Sequence, residues 1–210
     1  MKRRRSGYTW VTWLTGILSG DDSCRWAAWV KTQFTYEKLP DANAENLATW
    51  KAEHADLVNR RAAQLRAEGW AVTLEDQNEI TLQGRATTLA GKPDIVAVQG
   101  LDVLTVDAKT GQRKGKDIWQ VRIYQMALPL TGRFPEGSRF LGEVLYKDGA
   151  QPLGPLTADD RARILALIAE VGASFVPEKV PSARECRFCP IAECTDRVYD
   201  AAAPVSTGAF

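Results

Sequence analysis

Apolar residues recur at helical spacing through the first third of the chain. Residues 8–20 predict a short helix that ends at Gly20, and residues 21–36 predict a second helix opened by Asp and Ser capping residues. The longest helical pattern, rich in Ala, Leu, Glu and Arg, covers residues 41–70 and stops near Gly69. The first third of the protein is therefore expected to be helical.

The spacing then changes to the alternation that is typical of strands. The strand-like segments are residues 71–77, 79–84, 86–100, 102–109 and 139–146. Residues 116–130 return to a helical pattern, and residues 157–173 form an amphipathic helix with Thr157 as its N-cap. Helices followed by a meander of strands, with a helix inserted among them, predict an α/β or α+β fold.

Length and composition indicate a globular protein. The chain has 210 residues, of which 45% are hydrophobic and 25% charged, which suits one substantial domain with its own core. We expect that domain to cover residues 1–199 and a flexible tail to cover residues 200–210. No apolar run is long enough to cross a membrane, and the basic start lacks the apolar core of a signal peptide. A cytoplasmic protein is therefore expected.

Positive charge is concentrated in two short patches. The net charge is only +1, so any binding to nucleic acid would use local patches. Residues 2–5 form one patch, and Arg113, Lys114 and Lys116 form the other. The second patch directly follows the Asp-Ala-Lys segment at residues 107–109, and that position makes it the better candidate for contacting a nucleic-acid backbone. For both patches, a solvated loop or tail is the simpler alternative.

Asp94 and Asp107 are expected to face each other across a hairpin. If the turn centres between Gly100 and Leu101, both aspartates lie equally far from it, and facing residues have Cβ atoms about 5 Å apart. Lys109 shares the strand face of Asp107. Two repelling carboxylates need a counter-charge, for which Mg²⁺ or Mn²⁺ is suitable. With Lys109 stabilising negative charge, such a site would suit phosphodiester hydrolysis. The plain alternative is a surface hairpin with a salt bridge.

Further polar residues stand before and after this hairpin. Gln120 and Tyr124 are four residues apart on a predicted helix, so they share one face and could hydrogen-bond a phosphate or a base. A surface pair is the simpler interpretation. His54 is the sole histidine, and its imidazole could supply another metal ligand, although a lone histidine is more often structural.

Three of the four cysteines form a C-x2-C-x4-C cluster made of Cys186, Cys189 and Cys194. Cytosolic chains rarely use disulfides, so this spacing favours a metal or a cluster. The fourth ligand would be Cys24, which would join the N-terminal helices to the C-terminal end. Four thiolates suit either tetrahedral zinc or an iron–sulphur cluster, and the spacing does not distinguish them. Four unrelated thiols are the remaining alternative.

These motifs together resemble the RecB-type branch of the PD-(D/E)xK nuclease superfamily. They are “H…GKPD…DAKTG…QVRIY”, one early cysteine and three late ones, in the family's order from Cys24 to Cys194. More narrowly, they resemble its iron–sulphur nucleases, such as the CRISPR-associated adaptation exonuclease and the nuclease domain of AddB. The resemblance implies a restriction-endonuclease-like core, in which helices flank a central mixed β-sheet. It also implies metal-dependent DNA cleavage, often exonucleolytic on single strands.

The resemblance also implies a role for each matching residue. Its Mg²⁺ or Mn²⁺ ligands would be His54, Asp94, Asp107 and the carbonyl of Ala108. Its catalytic residues would be Asp94, Asp107, Lys109, Gln120 and Tyr124. Its [4Fe–4S] cluster, joining the N- and C-terminal ends, would be held by Cys24, Cys186, Cys189 and Cys194.

Other functions remain open from the sequence. One is a catalytically inactive nuclease fold that is kept as a DNA-binding module, with a structural iron–sulphur or zinc site. Another is a nuclease whose role is recombination, repair or phage DNA processing rather than CRISPR adaptation. A protein partner in a recombination or adaptation complex would fit these roles.

Overall fold

The computed structural model describes residues 1–40 and 47–199. Its helices are α1 Thr12–Ser19, α2 Arg25–Gln33, α3 Leu47–Ala67, α4 Gly115–Ala127, α5 Ala158–Gly172 and α6 Ala183–Phe188. Its strands are β1 Lys2–Arg3, β2 Gly7–Trp10, β3 Phe34–Thr35, β4 Ala71–Leu74, β5 Ile80–Gln83, β6 Thr87–Gly91, β7 Ile95–Gln99, β8 Asp102–Lys109, β9 Arg139–Tyr146 and β10 Gly149–Leu153.

The central sheet has the strand order β10-β9-β8-β7-β4 and is mixed. Strands β8 and β9 pair in parallel, while the other neighbours are antiparallel. Helix α4 makes the crossover between the two parallel strands, as a parallel pair requires. A second sheet has the order β2-β6-β5, with β2 parallel to β6. Helices flank the central mixed sheet, which confirms the predicted restriction-endonuclease-like architecture.

Both faces of the central sheet are buried. On one face, alternate residues of β7 and β8, such as Ile95 and Val106, pack against α3. On the other face, Val96 and Val103 join a larger core that includes residues of α1, α4 and α5. Since neighbouring strand residues point to opposite faces, each strand of the hairpin contributes to both cores. Asp107 follows Val103 at even spacing and therefore points toward the α4 side.

One buried ion pair joins α3 to the sheet. The guanidinium of Arg61 on α3 donates to both carboxylate oxygens of Glu143 on β9, each at 2.8 Å. The side chains are only 16% and 7% exposed, respectively. Bidentate contacts of this kind fix an orientation as well as a distance. The pair therefore sets how α3 lies across the sheet.

The first third contains strands that the helical pattern did not predict. Residues 7–10 form β2, because they pair with β6, and only residues 12–19 of the first predicted helix are helical. That helix ends at Gly20 as predicted, in the left-handed region at φ 80°. The predicted Asp and Ser caps of α2 are wrong, because Cys24 occupies the N-cap position without a side-chain cap. Its predicted end also becomes β3, which pairs with β1.

The middle and end of the chain follow the predicted pattern with smaller changes. Strand β4 stops at Leu74, where the Asn78 amide donates to the Thr73 carbonyl and holds a 3-10 turn. The long predicted strand over residues 86–100 is two strands, β6 and β7. Strand β10 was not predicted; it carries Pro152, which an edge strand tolerates. The Thr157 cap of α5 is confirmed, since its hydroxyl accepts from the Asp160 amide.

Two parts of the sequence-based prediction fall outside the described residues. They are the first residues of the predicted helix, 41–46, and the predicted tail, 200–210. Among the helices that are described, none combines the length and apolar character needed to cross a membrane.

Replacing Glu143 with Ala should lower the free energy of unfolding by about 3 kcal/mol, because the buried Arg61 guanidinium loses both short hydrogen bonds and keeps only longer contacts to Gln64 at 3.5 Å and Glu68 at 3.9 Å. Urea unfolding followed by circular dichroism measures this loss. Asp102→Ala is the matched control: Asp102 also binds an arginine in bidentate fashion, but that arginine, Arg139, is 73% exposed. The control should cost less than about 1 kcal/mol. Equal losses for the two variants would show that Arg61–Glu143 does not hold α3.

Candidate active site

The β7–β8 hairpin brings the two predicted aspartates together. Gln99 pairs with Asp102 and Ile95 with Val106, so the turn lies where the sequence predicted it. Continued by one residue, this register places Asp94 opposite Asp107. The Oδ2 atom of Asp94 accepts a hydrogen bond of 2.7 Å from the Ala108 amide, which fixes the carboxylate beside the end of β8.

Asp107 is a buried carboxylate with a short contact to Lys109. Its residue is 1% exposed, and the Lys109 Nζ atom lies 2.6 Å from its Oδ2 atom. Within the described residues, that oxygen has no partner with hydrogen-bond geometry. The ammonium therefore balances the charge of the buried carboxylate. Burial raises the pKa of Asp107, Lys109 lowers it, and Asp94 raises it further.

Lys109 and Gln120 form a polar chain behind the carboxylates. Burial lowers the pKa of Lys109, but the charges of Asp107 and Asp94 outweigh burial and raise it, so the ammonium stays charged. Its Nζ atom donates to the Gln120 Oε1 atom at 3.0 Å, and the Gln120 amide donates to the Tyr124 hydroxyl at 3.4 Å. The ammonium is thus directed by two partners, one carboxylate and one amide.

His54 reaches the site from α3. Its Nε2 atom lies 3.3 Å from the Oδ2 atom of Asp94, and this hydrogen bond raises the pKa of His54 against the effect of burial. The Trp50 ring stacks on the imidazole with centroids 5.2 Å apart. Trp50 was not among the predicted site residues, although its spacing of four residues from His54 is a helical contact distance.

Tyr124 is part of the core rather than of the site surface. It is 1% exposed, and burial raises the pKa of its hydroxyl. Its ring lies against Gly91, where an added Cβ would be 2.8 Å from the Tyr124 Cε1 atom. The helix face with Gln120 and Tyr124 therefore does turn toward the hairpin, but Tyr124 acts on the site through Gln120.

The side chains gathered at this site are of the chemical types that bind a divalent cation. They are the carboxylates of Asp94 and Asp107 and the imidazole of His54. Among residues 1–40 and 47–199, however, no three His, Cys, Asp or Glu side chains have the spacing of a bound metal ion. The predicted ligands His54, Asp94 and Asp107 thus lie in one region without being drawn to one point. The Ala108 amide holds Asp94, and its carbonyl remains a predicted ligand.

The basic loop after β8 is held by two residues that the sequence analysis missed. Asp117 accepts from the Lys114 amide at 3.0 Å and contacts the Tyr146 hydroxyl at 3.2 Å. The Arg113 guanidinium lies 4.4 Å from the Tyr146 ring centroid and pairs with Asp148 at 2.9 Å. Asp117, three residues after Lys114, has the position of a capping residue, but no sequence signal marks Tyr146.

A cleft of about 920 Å³ joins this basic loop to the cysteines. Its walls include the predicted DNA-binding residues Arg113, Lys114 and Lys116 and the four cysteines Cys24, Cys186, Cys189 and Cys194. All four thiols are free of disulfides. Burial raises the pKa of the Cys24 thiol. The structure thus brings the early cysteine to the late cluster, as predicted, although their spacing is not that of a metal site.

Comparison with known proteins identifies the family. The sequence pattern of the PD-(D/E)XK nuclease superfamily matches residues 17–194, which is most of the chain. The chain therefore belongs to the PD-(D/E)XK nuclease superfamily. The crystal structure of SSO0001 is similar at 14% sequence identity and a TM-score of 0.42, covering 89% of this chain and 84% of that one. No curated protein matches the sequence.

Replacing Tyr124 with Phe should lower the free energy of unfolding by about 1 kcal/mol, because it removes one buried hydrogen bond and keeps the packing. Tyr124→Ala should cost about 4 kcal/mol, since it opens a cavity beside Gly91. Urea unfolding measures both values. Filter binding to labelled single-stranded DNA provides the control: Tyr124→Phe should change the Kd less than twofold. A large change in Kd would mean that the hydroxyl contacts the nucleic acid directly.

Proposed function

We propose that this protein is a metal-dependent deoxyribonuclease that hydrolyses phosphodiester bonds at the Asp94–Asp107–Lys109 site. One observation carries the proposal: the buried Asp107 carboxylate has a lysine ammonium 2.6 Å away and a second aspartate opposite it, and that aspartate lies 3.3 Å from the His54 imidazole. A purely structural ion pair would not need a second carboxylate and an imidazole beside it. In a chain of this nuclease superfamily, the arrangement supports hydrolysis over a plain surface hairpin.

Each residue of the site has a separate task in this proposal. His54, Asp94, Asp107 and the Ala108 carbonyl would hold Mg²⁺ or Mn²⁺, which supplies Lewis-acid activation of water and phosphate when bound. Lys109 stabilises the charge that develops on the phosphate oxygens. Gln120 holds the Lys109 ammonium in place, and Tyr124 anchors Gln120 from the core.

The basic loop would bind the DNA backbone beside the site. Lys114 and Lys116 are exposed in the cleft and form no ion pair within the described residues. Arg113 is exposed but already paired with Asp148, so its contribution would be smaller. Such contacts make binding salt-dependent. We propose single-stranded DNA as the preferred substrate and exonucleolytic cleavage as the mode, both of which rest on the resemblance of the motifs.

We also propose a [4Fe–4S] cluster at Cys24, Cys186, Cys189 and Cys194. The support is that these free thiols line one cleft, although they come from distant parts of the sequence. Cys24 precedes α2, and the other three lie in or after α6, so a cluster would join the two ends of residues 1–199 as one domain. The biological role would be recombination, repair, phage DNA processing or CRISPR adaptation in the cytoplasm, with a protein partner.

Lys109→Ala should reduce metal-dependent cleavage of end-labelled DNA by at least about 100-fold, because it removes the charge that stabilises the transition state. The assay compares single- and double-stranded DNA with Mn²⁺, Mg²⁺ or EDTA after purification without oxygen. Lys147→Ala is the matched control, since Lys147 is an exposed lysine just after β9 that pairs with Glu53. It should cleave like the wild type.

Two outcomes would contradict the proposal. A folded wild type that binds DNA but cuts none with either metal would favour the inactive DNA-binding module. Equal activity in Lys109→Ala and the wild type would place the reaction elsewhere. The position of the surviving label distinguishes exonuclease from endonuclease and gives the polarity of digestion.

Anaerobically purified protein should be brown and contain about four iron and four sulphide ions per chain, because four thiolates hold the proposed cluster. Cys194→Ser should lose most of this iron, whereas Thr195→Ser, next to it in the chain, should keep it. Iron and sulphide analysis with ultraviolet–visible spectra measures both variants. Stoichiometric zinc in place of iron would refute the cluster and support a structural zinc site.

A further inference from the structure

The sheet-facing side of α3 extends beyond the sheet. Leu57, Val58, Ala62 and Leu65 lie on this side and are at most 4% exposed, because they pack on β7, β8 and β9. One to three turns toward the start of the helix, the same stripe continues with His54, Trp50 and Leu47. Trp50 is 48% exposed and Leu47 is 42% exposed. The packing stripe of the helix thus ends in two large apolar side chains that are about half exposed.

Trp50 stands directly beside the candidate active site. One side of its indole stacks on His54, with an interplanar angle of 29°, and His54 in turn contacts Asp94. Because the residue is 48% exposed while the ring stacks on His54, part of the Trp50 surface is accessible to a ligand. Exposed tryptophans at such positions mark recognition of planar or apolar groups.

We propose that Trp50 stacks against an unpaired nucleobase of the DNA strand whose phosphate is held at Asp94 and Asp107. The base, the indole and the imidazole of His54 form one stack at the edge of the site. This inference rests on the proposed nuclease function and adds to it a substrate-contacting residue outside the sequence motifs. Every base has an aromatic face, so the contact tolerates any sequence.

Such a stack would also favour unpaired bases near the cut. A base within a duplex is already covered on both faces by its neighbours and is held by its partner strand. It can reach a side chain on α3 only if it leaves that stack, which costs a few kilocalories per mole. A single strand or a frayed end avoids this cost. Trp50 therefore favours single strands through stacking, independently of the phosphate contacts of the basic loop.

The test is an abasic scan of binding with Ca²⁺ in place of Mg²⁺ or Mn²⁺. Fluorescence anisotropy measures the Kd of fluorescein-labelled 12-nucleotide oligothymidines, each lacking one base at a successive position. For the wild type, one position should weaken binding about tenfold. Trp50→Ala should bind the intact strand about tenfold more weakly than the wild type. Removing the base at the sensitive position should weaken the binding of this variant by less than a further twofold. Trp50→Phe should retain most of the wild-type affinity and the same sensitive position.

Leu47→Ala is the matched control, because Leu47 is equally exposed on the same stripe but does not stack on His54. It should bind within twofold of the wild type. The proposal is overturned if Trp50→Ala binds the intact strand like the wild type, or if it keeps the wild-type abasic sensitivity. Weakened Mn²⁺ binding in calorimetry with an unchanged abasic pattern would mean that Trp50 only supports His54.

Failure of the nuclease function itself gives a different result. In that case the wild type would show no cleavage with Mn²⁺ or Mg²⁺. If it also bound no oligothymidine, the inference would fall together with the function. If it bound without cutting, the abasic scan would still test the Trp50 contact in an inactive DNA-binding module. A wild type that cuts single strands but shows no sensitive abasic position would remove the Trp50 contact alone. The preference for single strands over duplex should also shrink at least about fivefold in Trp50→Ala.

Discussion

The register of the β7–β8 hairpin is the constraint on which the candidate site depends. Side chains alternate between the two faces of a sheet, so a slip of one residue would turn Asp107 and Lys109 toward α3. The register is held because both faces are buried: Ile95 and Val106 need the α3 side, while Val96 and Val103 need the α4 side. The hydrophobic core thus determines which face receives the charges, and the charges themselves play no part in that choice.

Burying Asp107 is unfavourable for the fold and useful for the proposed chemistry. Desolvation raises its pKa, and Lys109 recovers only part of the lost charge stabilisation. A bound cation would supply the rest, so the same desolvation that weakens the fold would strengthen the attraction of the site for a cation. Elsewhere, the buried Arg61–Glu143 pair joins α3 to β9. That pair also fixes α3, the helix that carries His54 and Trp50.

Two long-range arrangements connect the site to its surroundings. Tyr146 and Asp117 hold the basic loop at the start of α4, directly after the strand that carries Lys109. The cysteines border the same cleft as this loop, so a cluster bound there would stabilise one wall of the path that a DNA strand would follow. The hydrophobic core, the basic loop and the cysteine-lined cleft therefore meet near the end of β8 and the start of α4. Substrate positioning matters most for the proposed reaction at this place.

The sequence by itself determined the elements and residues whose signals are local. The turn at Gly100, the end of α1 at Gly20, the Thr157 cap and strand β9 each depend on a few neighbouring residues, and so does the pairing of Asp94 with Asp107. Only the tertiary structure decided what depends on distant partners. Residues 7–10 became a strand because β6 lies beside them, Tyr124 became a core residue because Gly91 leaves room for its ring, and Arg61 and Glu143 met although they are 82 positions apart. Burial and pairing across the chain are set by packing, which local patterns of polarity do not encode.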